Sequence, residues 1–451
     1  MTCVQTIGRP RPGVAAAAPA LVSALALALA LALPATRAAA QSDSSWVGTE
    51  RAARAALAAG DTLAYRNELL LLCDQLNGNP RVVLRLARAE ASLGHRGSAC
   101  QWLGRYADMG LGLDLSSDAL LAAAAGDSQC SRTRERLDHN LRDPVDRAGV
   151  VFALPDSGTL AEDVTYDPRS QRYFVSSVKK GRVLSFNRHG HPLRYLGPQQ
   201  DLLWSVMAVS ADPARGRLWV TTACLREGAR WTARDSGRTA VLCYALANGR
   251  RLGRWEPPRD GSARVLGDMT VAPDGAAYIC ESLRGAVYVV RRPSGSLETV
   301  VPEGTFRSPQ TPAMTPDRTR LLIPDYVLGI AIVDLSTRNV TWLGHGRDVA
   351  LTGVDGLYVT GHSLIAIQNG TQPERLIQLD LDEGMSRVEN ARVLQQNTRD
   401  LGDPTHGVMV GPDFHFIANS GWDRVNDSNP AGPLLPGTTP RIMKIHLGGR
   451  P

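Results

Sequence analysis

The apolar positions along the chain change their period once. From Ser45 to about Asn140, Ala and Leu recur at helical spacing among Arg and other polar residues, and Gly60, Gly94 and Gly126 punctuate the stretch at intervals of 34 and 32. An interval of that size suits a helix pair stacked on its copy, with Gly ending each first helix where φ > 0 is wanted. After a polar, Pro-containing linker, "NLRDPVDRAG" (Asn140 to Gly149), the period becomes two, and short apolar runs alternate with Gly, Pro and Asp. A Pro-adjacent aspartate turn recurs at Asp167, Asp212, Asp274, Asp317 and Asp413, at intervals of 45, 62, 43 and 96. The last interval is two units, because "DGLYVTGHSLIAI" puts an equivalent turn at Gly361. The 62 holds an insertion, "REGARWTARDSGRTA". Six hairpins of about 45 residues, each followed by a third and an outer strand, have the spacing of four-stranded propeller blades. One clear strand, "RIMKIHL" (Arg441 to Leu447), follows the sixth hairpin, and a spare strand, "GVVFAL" (Gly149 to Leu154), precedes the first. The spare strand can complete the last blade and seal the ring, which removes free sheet edges. The fold class expected is an all-β six-bladed β-propeller (149–451) preceded by a small α-helical repeat domain (41–142).

The helical segment "VVLRLARAEASLGHRGSACQWLGRYADMGL" resembles a tetratricopeptide repeat, with small Ala at the helix crossing and a Gly turn between helices. Residues 1–40 differ from both regions: Arg9 and Arg11 precede "GVAAAAPALVSALALALALALP", and "ATRAAAQS" offers a small-residue cleavage site after Ala40. This predicts a secretory signal peptide and a secreted or periplasmic protein, membrane-bound only if the apolar run stays uncleaved. Arg9, Arg11 and Arg37 are the charged residues of that segment, so cleavage lowers the net charge from +6 to +3. So mild a charge argues against nucleic acid as a partner. At 43% hydrophobic and 21% charged residues, the composition is that of globular material able to bury large cores. Six of the seven cysteines follow the cleavage site, an even number suited to an oxidising compartment. Cys224 and Cys243, on either side of the insertion, are a candidate pair, with buried free thiols as the alternative.

Candidate chemistry gathers where the hairpins align. Before the innermost strands stand Glu162-Asp163, Ser205-Val206, Gly267-Asp268, Gln310-Thr311, Val354-Asp355 and His406-Gly407; at the ends of the second strands stand Ser177, Thr222, Glu281, Asp325, Asn369 and Asn419. Polar and acidic side chains converging on one axis supply the hard oxygen donors that a divalent cation requires. Any one of them alone reads equally as a turn cap. His189 and His191 in "NRHGHP" read as a surface loop. The chain has no G-x-S-x-G elbow, H-E-x-x-H, C-x-x-C or phosphate-binding Gly loop, which argues against serine-hydrolase, zincin, thioredoxin-like and nucleotide-binding chemistry.

The segments "LAEDVTYDPRSQRYFVSSV", "LGDMTVAPDGAAYICES", "TPAMTPDRTRLLIPDYVLGIAIVDL" and "DGLYVTGHSLIAIQNG" resemble the gluconolactonase and regucalcin (senescence marker protein) family of six-bladed propellers. The resemblance implies an axial divalent ion, calcium in the first instance with magnesium or zinc as alternatives. It implies Glu162 as a ligand and Asp325 as ligand and catalytic base. Asp268 and Gln310 stand near where the family has middle-blade asparagines and are expected as the further metal ligands. His406, Asn369, Asn419, Asp355 and Glu281 are then expected around a small-molecule substrate, a lactone or ester hydrolysed in the funnel. The other reading is a non-catalytic propeller whose helical repeats bind a protein partner.

Overall fold

The computed structural model describes residues 46–195, 201 and 203–448; the expected signal segment lies outside them. Six helices come first: α1 (Trp46–Ala58), α2 (Thr62–Gln75), α3 (Pro80–Ser92), α4 (Arg96–Asp108), α5 (Ala119–Ala125) and α6 (Ser131–Arg142). Local chemistry starts them as expected. The Asp61 carboxylate accepts from the Ala64 amide at 2.8 Å, and Asn79 accepts from that of Arg81 at 3.0 Å with Pro80 behind it. Gly60 (φ 73°) and Gly94 (φ 79°) take the left-handed conformation that turns α1 into α2 and α3 into α4, whereas Gly126 ends α5 at φ −66°. Leu69, Leu72, Leu86, Leu103 and Leu121 fill the helical core, which Ala350 of the propeller joins.

The six sheets have four strands each. The closing strand Gly149–Ala153 pairs antiparallel with Arg441–His446 and becomes the outer strand of the last blade, so the ring is sealed as the spare strand predicted. The aspartates of the repeated turns cap them: Asp167 accepts from the amides of Arg169 and Ser170, and Asp317 from that of Thr319. Cys100 and Cys130 form a disulfide that ties α4 to the start of α6. Cys224 and Cys243 are buried and not joined in a disulfide, because the blade-two register puts Cys243 opposite Trp219 while Ala223, just before Cys224, lies opposite Thr239.

The innermost strands carry β-bulges at corresponding places in blades one, two, three and five: between Ala161 and Val164, Val206 and Val209, Leu266 and Met269, and Val354 and Leu357. A bulge re-aims the side chains of its extra residue, and the bulged residues include Glu162, Asp163, Asp268 and Asp355. Their backbones are stitched from blade to blade. The Ser176 hydroxyl accepts from the Asp163 amide and donates to the Met207 carbonyl, both at 2.8 Å; the Thr221 hydroxyl accepts from the Ala208 amide and donates to the Gly267 carbonyl at 2.6 Å. This pattern fixes the true blade-two equivalents of Glu162-Asp163 as Met207-Ala208, two residues beyond the Ser205-Val206 that strand alignment suggests. The acids lie within the innermost strands, and blade two contributes no acid there.

The helical region is joined to the propeller by buried polar contacts. Arg375, 3% exposed on blade five, donates to the carbonyls of Gly110 at 2.8 Å and Met109 at 3.1 Å and to Gln368 Oε1 at 2.8 Å. The linker lies along the outer strand of blade five, where the Arg147 and Ala148 amides both donate to Gln395 Oε1.

His415, packed in blade six with Nδ1 2.9 Å from the Tyr173 hydroxyl, is pushed down to about 4 by burial, against the opposing pull of Asp413. Between that value and 6.5 the unfolded chain takes up a proton that the folded ring refuses. Stability due to this group is therefore present above pH 6.5 and lost as pH falls toward 4. Discounted for partial solvent screening, the loss amounts to about 2 kcal/mol. Denaturant unfolding of wild type and His415→Gln at pH 7 and 4.5 should show the stability gap between them shrinking by about that amount; a gap independent of pH would refute the assignment.

Candidate metal centre

Blades three and six face one another across the ring, and blade five adjoins six. From them come Asp268, Asp355 and His406, whose ligating atoms all lie within 4.8 Å of one another. His406 Nε2 is 3.3 Å from Asp268 Oδ2 and 3.9 Å from Asp355 Oδ1. The ring is oriented by its other nitrogen: Nδ1 donates to the Glu162 carbonyl at 2.9 Å, so Nδ1 carries hydrogen and Nε2 is the atom turned to the acids. Nε2 is buried, and among the described residues no hydrogen bond of good angle satisfies it, Asp268 Oδ2 being its near neighbour. A bare lone pair facing two carboxylates is repulsive, so a positive charge belongs between them, either the proton of an imidazolium or a metal cation. One imidazole nitrogen and two carboxylates fit a divalent ion with open coordination positions.

Each carboxylate is steadied by a neighbouring donor, Asp355 through its far oxygen and Asp268 through the oxygen that faces His406. Asn369 Nδ2 donates to Asp355 Oδ2 at 2.5 Å and to the Pro404 carbonyl at 2.9 Å. The Thr311 hydroxyl donates to Asp268 Oδ2 at 3.3 Å. Glu162 adjoins the trio with Oε2 bonded by the Trp422 indole N–H, while Oε1 takes no hydrogen bond among the described residues. Burial, with help from Asp355 and against the pull of His406 and Trp422, pushes Glu162 up to about 8. Burial likewise lifts Asp163 to about 7, although its oxygens accept from the Val164 and Val209 amides. For His406 burial acts downward, but Asp268 and Asp355 outweigh it and hold the imidazole well above its ordinary value.

Two loops roof this end of the ring over blades one to three. The Ala229 amide, in the insertion, donates to the Lys179 carbonyl at 2.9 Å, and Lys179 Nζ donates to the Pro430 carbonyl at 2.7 Å. Beneath them Leu160, Met207, Leu225, Val425 and Trp422 form an apolar cluster. All three members of the trio are buried.

Of the residues expected at the site, Asp268, Asp355, His406, Glu162 and Asn369 come together. Asp325 is committed elsewhere. Its Oδ2 accepts from the amides of Arg307 and Ser308, and its Oδ1 from those of Val327 and Leu328, at 2.6 to 3.2 Å. It fastens two loops and has no oxygen to spare for base or ligand duty. Glu281 likewise accepts three amides, from Val265, Leu283 and Arg284. Gln310 turns its amide onto Ser308, and Asn419, at φ 53°, binds the Asp400 carbonyl. Thr311 and Trp422 complete the site. Thr311 was visible as the neighbour of Gln310, whereas nothing local marks "SGWDR" as an axial segment.

No protein-family model matches the sequence, and no curated protein does. Among solved structures, a luciferin-regenerating enzyme is 12% identical, with a TM-score of 0.43 over 67% of this chain and 95% of its own. A protein provisionally assigned as a gluconolactonase is 14% identical, with a TM-score of 0.45 over 66% and 91%. A chain from a nidogen–laminin complex is 11% identical, with a TM-score of 0.40 over 52% and 80%.

Losing the Asp325 carboxylate orphans four amides. Asp325→Ala should cost on the order of 3 kcal/mol in denaturant unfolding and leave the metal content of the folded protein unchanged. A fully stable variant that no longer holds an ion would return Asp325 to the site.

Proposed function

We propose that the protein is an exported, divalent-metal-dependent hydrolase of a small lactone or ester, with Asp268, Asp355 and His406 holding the ion. The observation that carries this reading is His406 Nε2, oriented through Nδ1, buried and turned toward two carboxylates at 3.3 and 3.9 Å. The imidazole shifts the expected metal from calcium, which takes six to eight oxygen ligands, toward zinc or manganese. Bound there, the ion would polarise a carbonyl oxygen and acidify a water molecule. His406 keeps Nε2 in place by donating from Nδ1 to the Glu162 carbonyl. Asn369 and Thr311 hold the two aspartates. With a bound cation's charge offsetting the burial that otherwise keeps it protonated, Glu162 would be the placed proton acceptor: Trp422 fixes Oε2, and Oε1 is left to take a proton from attacking water. Met207, which takes the place of Glu162 in blade two, would offer an apolar side chain to a small substrate, and burial of the trio would keep bulk water from the reaction. The Cys100–Cys130 disulfide supports export to an oxidising compartment.

One feature favours a binding role: Leu57 on α1 and Leu63 and Leu71 on α2 are each 56% exposed, a surface that could receive a protein partner. Metal content separates the two readings.

Elemental analysis after dialysis into zinc, manganese or calcium should find one equivalent in the wild type and none in Asp268→Ala, Asp355→Ala or His406→Ala. Across a lactone and ester panel these variants should lose at least about 100-fold in kcat/KM, since even outer-shell substitutions at metal sites cost 10- to 100-fold. A metal-free wild type would leave the hydrolase without its Lewis acid and turn attention to the leucines of α1 and α2.

A further inference from the structure

The axial site has a connection that leaves the propeller. Asp355 is oriented by Asn369, which is fully buried, and a buried amide can present either its nitrogen or its oxygen. Its orientation here is fixed by two acceptors that both require Nδ2, Asp355 Oδ2 and the Pro404 carbonyl, and from the far side the Tyr326 hydroxyl donates to Asn369 Oδ1 at 3.2 Å and holds the oxygen end in place. Reversing the amide would set oxygen against carboxylate. Tyr326 reaches this far because residue 370 is glycine: a Cβ there would come within 2.4 Å of the ring. The same strand ends are laced together, with the Gly353 amide donating to the Tyr326 carbonyl at 2.9 Å and the Gly370 amide to the Gly353 carbonyl at 3.1 Å.

The outer face of the Tyr326 ring is covered by the helical region. The Arg81 guanidinium lies over it, 5.7 Å from the centroid. Arg81 is in the first turn of α3, and the residue that caps this helix, Asn79, donates from Nδ2 to the Val327 carbonyl at 2.8 Å. Two consecutive loop residues of blade four are thus gripped by one helix start.

We infer that Arg81, Tyr326 and Asn369 form a positioning relay through which the helical region sets the orientation of Asp355, and with it the affinity of the axial ion. The inference rests on the metal reading above. Asn369 touches the ligand residue; Tyr326 acts through Asn369, and Arg81 through Tyr326. The helical region is then part of the ion site's supporting structure.

The test is calorimetric titration of zinc and, separately, manganese into the metal-stripped full-length protein and its variants, with thermal unfolding of each metal-free form recorded alongside. Tyr326→Phe keeps the ring and its contact with Arg81 and removes only the hydroxyl. It should weaken binding by about 3- to 10-fold at unchanged stoichiometry and with little change in unfolding temperature, while Asn369→Ala should weaken it by about 10- to 100-fold. The double variant should bind no more weakly than Asn369→Ala alone, because the proposed relay runs through the side-chain amide that this variant lacks. Arg81→Ala should weaken binding by about 2- to 5-fold, and Arg81→Lys, which keeps a cation over the ring, should recover most of it. If the wild type binds one ion and Tyr326→Phe and Arg81→Ala match it, the relay is wrong and the metal site stands. Additive losses in the double variant would also overturn the relay. A wild type that binds neither metal refutes both proposals together.

Discussion

Four carboxyl groups, those of Glu162, Asp163, Asp268 and Asp355, are withdrawn from water around a single imidazole, and the interior of the ring is organised by the need to compensate them. Taking one ion out of water costs several kcal/mol even after the protein relaxes. Each acid meets that cost differently. Asp163 is bonded by two backbone amides, Asp355 by an asparagine, Asp268 by a threonine, and Glu162 by an indole N–H. None of these donors brings a full positive charge. The remaining demand falls on the space beside His406 Nε2, where a proton or a cation answers it. A ring built only for stability would have little reason to keep such a demand at its centre.

Holding the acids there requires distortion of the innermost strands that the rest of each blade must tolerate. The recurring bulges turn two successive residues into the positions where an ideal strand would place one. The hydroxyls of Ser176 and Thr221 satisfy the displaced backbone groups and bridge to the next blade. The inter-blade contact and the aim of the axial side chains therefore have one cause. This also explains why blade two can carry Met207 and Ala208 without disturbing the ring: backbone stitching survives the change of side chain, and the site gains an apolar wall on that side.

The architecture was legible because its signals are local. Asp-Pro turns, the change of period at the linker and the spare first strand each act within a few residues, and together they fix six blades and their closure. The site was half legible for the same reason. An acid at a strand end looks alike whether it points to the axis or receives amides from its own loops, so Asp325 and Glu281 carried the same signal as Asp268. Bulges shift the side-chain phase without altering the turn spacing, which put blade two out of step by two residues. Trp422, Tyr326 and Arg81 act across 43 to 260 positions of sequence or between two regions, and no periodicity records that.

The junction between the two regions bears on what the helices are for. A spacer needs few contacts with its neighbour, yet here Arg375 gives its guanidinium hydrogens to carbonyls at the end of α4 and to Gln368, and burial pushes it down to about 10. Gln368 in turn spans the Ala350 and Thr352 carbonyls, next to Asn369 in sequence. A buried cation with dipoles as its nearest partners is costly to separate, because both sides would lose their hydrogen bonds at once. The end of α4 and the strand end that carries Asn369 are thus held by one buried set of hydrogen bonds, which a mere spacer would not need.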